Sequence, residues 1–94
     1  MSIAEFQKLI HERYFATDNA RGVPGTFLWL SEEIGELASA LAERERGNLD
    51  EANLREEFAD VLAWLATLAN ICDVDLAQAI HEKYQVDGGP EGTK

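Results

Sequence analysis

Leu30-Ser31-Glu32-Glu33-Ile34-Gly35-Glu36-Leu37 is answered downstream by Glu56-Glu57-Phe58-Ala59-Asp60-Val61. Each stretch holds two acids three residues apart, Glu33 with Glu36 and Glu57 with Asp60. On an α-helix such a pair shares one face, with Cβ atoms about 5–6 Å apart. Two such helices laid side by side aim four carboxylates into one space. Like charges at that range repel or force protonation unless a cation lies between them. A hard divalent ion suits oxygen ligands, and Mg²⁺ is usually held by a few carboxylates, waters and the phosphates of a substrate. The pattern therefore predicts a helical site for Mg²⁺, with Mn²⁺ as the alternative, and a phosphorylated ligand.

The bland reading of the first stretch is an amphipathic helix whose acids face water. Acids in a first helical turn also favour the helix dipole, which accounts for Glu56 and Glu57 without any ligand. It does not account for Asp60, set among Phe58, Ala59, Val61, Leu62, Ala63 and Trp64, where a lone carboxylate is costly. Glu32, one turn before Glu36, reads as an outer carboxylate of the same site. Gly35 costs its helix about 1 kcal/mol relative to Ala, which suggests close approach by a backbone or ligand.

Outward from these stretches, helical spacing extends in both directions. Ser2 with Glu5 reads as a capping box, opening a first helix to about Phe15 with an apolar stripe of Ile3, Phe6, Leu9, Ile10 and Tyr14. Thr17 to Gly25 is dense in breakers and predicts a loop. Within it Arg21 is a candidate phosphate contact, against the plainer reading of a surface arginine. A second helix from Gly25 or Thr26 to Arg46 stops at Gly47, a good C′ residue. Leu30, Ile34, Leu37 and Leu41 are its expected core stripe. A third begins between Asp50 and Asn53, with Asn53 and Glu56 as a capping pair, and runs to Cys72. Phe58, Val61, Leu62, Leu65, Leu68, Ala69 and Cys72 form its expected buried face. Asp75 and Gln78 cap a short fourth helix ending near Val86, with Leu76, Ala79, Ile80 and Tyr84 inward, and residues 87–94 read as a tail. The fold class is all-α, an antiparallel bundle of about four helices in a single domain over residues 1–86.

The chain has 94 residues, a hydrophobic fraction of 46% and a net charge of −10. A chain this small buries only about 60–70% of its unfolded surface, and helices this long carry too much apolar surface for one copy to cover. Association through the second and third helices, as a homodimer or homotetramer, is expected. The acidic balance argues against nucleic acid or an anionic membrane as partner. A single cysteine, Cys72, fits a reducing cytoplasm. No signal peptide or membrane span is expected. Trp29 precedes Glu33 by four and Trp64 follows Asp60 by four, so each acid pair has an indole one turn away. A base or ribose can stack there, although inward tryptophans are commonly core.

Glu32-Glu33-x-x-Glu36 followed by Glu57-x-x-Asp60 resembles the E-E-x-x-E … E-x-x-D signature of MazG-like nucleoside triphosphate pyrophosphohydrolases, a family of the all-α NTP pyrophosphatases. The likeness covers roughly Phe27 to Tyr84 and includes Gly35-Glu36-Leu37, Asp60-Val61-Leu62 and the turn Asp73-Val74-Asp75-Leu76. It implies that Glu33, Glu36, Glu57 and Asp60 ligate Mg²⁺, that Glu32 assists, and that Glu32, Glu33 and Glu36 belong to the catalytic set. It also implies hydrolysis between the α- and β-phosphates, giving a nucleoside monophosphate and pyrophosphate, in a nucleotide-pool house-cleaning role. Lys83 resembles the basic residue that some members bring to the phosphates from their last helix. Arg21, Trp29, Trp64 and Lys83 are thus the expected substrate contacts. Many relatives follow that lysine with an Asn and a further basic residue; Val86 and Asp87 stand here instead, so no base preference carries over. A di-iron bundle built on Glu-x-x-His pairs is discounted, because Lys8 precedes His11 and Gln78 precedes His81 at that spacing. The non-enzymatic alternative is an acidic helical interaction or nucleotide- and metal-binding module.

Overall fold

The structure is a computed structural model that describes residues 1–86; the expected tail at 87–94 lies outside them. The described residues form α1 (Ile3–Glu45), α2 (Glu51–Ile71) and α3 (Leu76–Ile80), the last running into a π-helical turn over His81–Gln85. No strand occurs among them, and none of their helices is long and apolar enough to cross a membrane.

The expected loop over Thr17–Gly25 is not a loop. α1 continues through it and departs from helical geometry only at Gly22, with φ 79° and ψ 178°. Two local causes explain the difference. The Asp18 carboxylate accepts from the Arg21 guanidinium at 3.0 Å, so it does not compete for backbone groups as an unpaired Asp does. Pro24 then falls in the first turn of the second arm, where its missing N–H costs nothing. The first arm thus covers residues 3–21 instead of ending near Phe15. At φ 79° and ψ 178° essentially only glycine is unstrained, so Gly22→Ala is expected to cost about 1–3 kcal/mol, read as a lowered thermal midpoint. Gly25 is required for a different reason: a Cβ there meets Arg21 Cγ at 2.9 Å.

The helix ends follow their signals closely. Ser2 and Glu5 form the reciprocal capping box. At Gly47, φ is 86°, and the Asn48 N–H reaches Glu43 O at 2.8 Å, a Schellman ending. Asp73 takes the same left-handed role after α2, with φ 56° and the Val74 N–H donating to Ala69 O at 2.9 Å. The cap of α2 is Asp50, accepting from the Asn53 N–H at 3.0 Å, so Asn53 lies inside the helix and not at its boundary. Asp75 caps α3 by accepting from the Gln78 N–H.

The second arm of α1 lies antiparallel to α2, pairing Trp29 with Trp64 and Glu33 and Glu36 with Glu57. One polar clamp fixes the other end: the Gln7 side-chain amide donates to Asn70 Oδ1 and Val74 O and accepts from the Leu76 N–H. Between them the core is narrow, consisting of Ile10, Leu30, Ala40, Ala66 and Ala69, with Thr26, Thr67 and Asp18 also buried. Ala66, Thr67 and Ala69 are small enough to let helices approach closely.

Much of the expected core is outside this narrow seam. Ile34 and Leu41 on α1 and Phe58, Leu62 and Leu65 on α2 are exposed, and so are Cys72 and the inward-reading Ile80 and Tyr84 of the last segment. Phe27, Ile34 and Leu41 follow one another at seven-residue spacing, a stripe left bare along the second arm.

Candidate metal centre

Glu33 and Glu36 project from the second arm one turn apart, and Glu57 lies opposite them on α2. One carboxylate oxygen from each of the three lies within 4.8 Å of the others. Octahedral Mg²⁺ holds its oxygens at about 2.0–2.1 Å, so opposite ligands stand about 4.1 Å apart. Three ligands cannot all stand opposite one another, and neighbouring ones are about 2.9 Å apart, so side-chain rotation must draw the trio inward to reach coordination distance. Asp60, half-buried one turn further along α2, stays outside the trio, but its charge acts on both Glu33 and Glu57. Glu32 is exposed on the adjoining position and is not drawn into the trio.

The electrostatics of the centre are those of crowded like charges. Among the described residues no Lys or Arg forms an ion pair with any of these four acids. Glu33 Oε2 and Glu57 Oε2 are buried with no hydrogen-bond partner. Desolvation first, then the charges of Glu36, Asp60 and Glu57, hold the Glu33 carboxyl above the usual carboxylate range. Desolvation, then Glu36 and Asp60, do the same for Glu57. Each shift states that the fold disfavours the charged form.

A pH dependence follows from those directions. Both groups bind their protons more tightly in the folded chain than in the unfolded one. The stability they contribute is present in acid and lost as pH rises through their folded values. Metal-free protein should therefore show a thermal midpoint that falls as pH climbs above the ordinary carboxylate range, and Glu57→Gln should flatten that fall. Added Mg²⁺ should restore the midpoint at about pH 7.5 but not at about pH 4, where protonated ligands no longer bind it. Melting curves with chelator and with Mg²⁺ check both statements.

The remaining expected contacts divide. Trp29 and Trp64 stack at 6.3 Å between ring centroids and 23° between planes. Arg21 lies with its guanidinium 4.9 Å from the Trp64 ring centre, and also donates to Asp18 and to Thr26 Oγ1. It is therefore not a free surface arginine but the link between the kink and the indole pair. Lys83 is elsewhere: its ammonium sits 5.2 Å from the ring centre of its neighbour Tyr84, in the segment whose start is tied to Gln7. The sequence reading missed Asp18, Thr26 and Gln7. For Asp18 a signal is available, since an Asp and an Arg at i,i+3 support each other on a helix, but both lie in the stretch whose breakers predict a loop.

What the centre can do chemically is bind a divalent cation through three or four carboxylates, beside two aromatic rings. The comparison with curated protein sequences gives no match. A family model does match: that of the MazG nucleotide pyrophosphohydrolase domain, over residues 23–85. This span takes in the second arm, α2, α3 and the π-helical turn, hence all four acids and both tryptophans. The chain belongs to the MazG nucleotide pyrophosphohydrolase family.

Proposed function

We propose that this chain hydrolyses nucleoside triphosphates between the α- and β-phosphates in a Mg²⁺-dependent reaction, releasing a nucleoside monophosphate and pyrophosphate. The observation that carries the reading is the trio of convergent carboxylates, two of them with buried, unpartnered oxygens, inside a region that matches the family. Glu33, Glu36, Glu57 and Asp60 hold the ion. A divalent cation held by these residues would supply charge neutralisation for the triphosphate and activation of a water. The surrounding residues supply position, which is most of what phosphoryl transfer needs. Glu32, exposed at the edge of the trio, orients the attacking water and accepts its proton. The water oxygen bonds to phosphorus, the bridging α–β P–O bond breaks, and pyrophosphate leaves with the electron pair. Trp29, half exposed, offers an aromatic face to the nucleoside, and Arg21 holds Trp64 in place. Lys83, which the family likeness would bring to the phosphates, lies against Tyr84 in this chain and is given no part in the step.

The working form is a homodimer or homotetramer in a reducing cytoplasm, and the physiological task is removal of unwanted nucleotides from the pool. Incubation with a panel of canonical and modified nucleoside triphosphates, with and without Mg²⁺, tests the reaction. Pyrophosphate and monophosphate in equal amounts, abolished by chelator, are expected. Nucleotide binding without any product would return the chain to a non-catalytic binding module.

A further inference from the structure

Asp18 is an acid that the metal centre does not use. It is 4% exposed. Its Oδ1 accepts from Arg21 at 3.0 Å, while Oδ2 is buried and has no partner. The residue lines a cavity of about 320 Å³ between the first arm and α2, together with Tyr14, Thr17, Arg21, Ala63 and Trp64. A volume of that size is at the lower end for ligand sites, roughly 300–1,000 Å³, and suits one flat ring system better than a whole nucleotide. The cavity lies beside the acidic centre, because Trp64 is one helical turn beyond Asp60 and stacks on Trp29, one turn before Glu33. A ligand whose phosphates sit at the acids can thus put its ring against Trp64.

We infer that this cavity receives the nucleobase of the substrate, and that the free Asp18 oxygen selects bases bearing an exocyclic amine. This rests on the pyrophosphohydrolase reading for the nature of the ligand. A carboxylate oxygen only accepts hydrogen bonds. Its other oxygen is committed to Arg21, so a single N–H donor satisfies it. An exocyclic amine supplies that donor, whereas a carbonyl oxygen at the same place adds repulsion to an already unpaired acceptor. The apolar walls from Ile10 and Ala63 and the Trp64 ring take the faces of the base. Arg21 acts here as a positioning residue, since it orients both the carboxylate and the indole.

The test compares bases in which an exocyclic amine is exchanged for a carbonyl and the neighbouring ring nitrogen gains an N–H: adenosine with inosine triphosphate, and cytidine with uridine triphosphate. The wild-type chain with Mg²⁺ is expected to favour the amino member of each pair by about 100-fold in kcat/KM. Asp18→Asn keeps an oxygen for Arg21 but turns an NH₂ toward the base, so the preference should fall to parity or reverse while the inosine and uridine substrates are still turned over. Ala63→Leu, which fills the cavity and leaves Asp18 and Arg21 paired, should raise KM for adenosine and cytidine triphosphates and erase the preference as well. Equal kcat/KM within each wild-type pair, or an undiminished preference in both variants, overturns the inference. Should no triphosphate be hydrolysed at all, the function above fails by itself. Tryptophan fluorescence titrations with the corresponding monophosphates then decide base selection separately: tighter binding of the amino members, lost in Asp18→Asn, supports it, and equal binding overturns it.

Discussion

Glu36→Gln and Asp60→Asn are each expected to lower kcat/KM by about 10³-fold or more while the helices stay intact. Neither amide carries the negative charge that a hard divalent ion favours in its ligands. Metal-free stability should move the other way. Glu36 raises the carboxyls of both Glu33 and Glu57, and Asp60 adds to the same effect. Neutralising either residue relieves crowding, so the thermal midpoint in chelator should hold or rise at neutral pH. This opposition of activity and stability marks a binding site and not a structural network, where both fall together. Steady-state kinetics and melting curves on the same preparations check it. Glu12, an exposed acid beside Lys8, is the control whose replacement by Gln should alter neither. Full activity in both Glu36→Gln and Asp60→Asn would remove these residues from the metal shell.

The second large effect concerns the bare stripe. Phe27, Ile34 and Leu41 on the second arm and Phe58, Leu62 and Leu65 on α2 are exposed in a single copy, Phe27 by 57% and Phe58 by 55%. Burying a side chain of this size contributes about 1.5–3 kcal/mol. Covering the stripe with a second copy therefore contributes several times what one contact does, and it also lengthens the narrow core. Light scattering should find a dimer or tetramer whose thermal midpoint rises with protein concentration. Phe27→Lys combined with Leu41→Lys should give monomers and lower that midpoint by about 10 °C or more. A wild-type monomer with a concentration-independent midpoint would discard the association.

The acid pattern was readable because it needs only helical periodicity, and periodicity is local. Of the four acids whose spacing predicts convergence, Glu33, Glu36 and Glu57 meet and Asp60 stays outside, while the caps at Ser2, Gly47 and Asp75 depend on nothing beyond the next turn. What failed was whatever depended on a partner in space. Gly22 and Pro24 read as a loop because breakers look alike in sequence; that the helix resumes at once depends on Pro24 landing in a first turn. Asp18 and Arg21 were hidden by that same assignment. The expected core stripes of the two long helices are buried only in part, at Leu30 and Ala69, because periodicity marks an apolar face but not what covers it. Ile34, Phe58 and Leu62 therefore read as core and emerge exposed. Asp50 and Asn53 are equally good caps on composition, and the choice between them is made where the chain leaves the turn after Gly47.

The central claim is that acids from two converging helices hold a divalent ion that a polyphosphate can reach. Calorimetric titration of a nucleoside triphosphate analogue with a non-hydrolysable α–β bridge, in the presence and absence of Mg²⁺, tests it most directly. The account predicts that Mg²⁺ tightens analogue binding by about 100-fold or more, and that Glu36→Gln abolishes this coupling without unfolding the chain. Identical affinities with and without Mg²⁺ in the wild-type chain, or coupling that survives in Glu36→Gln, would contradict it.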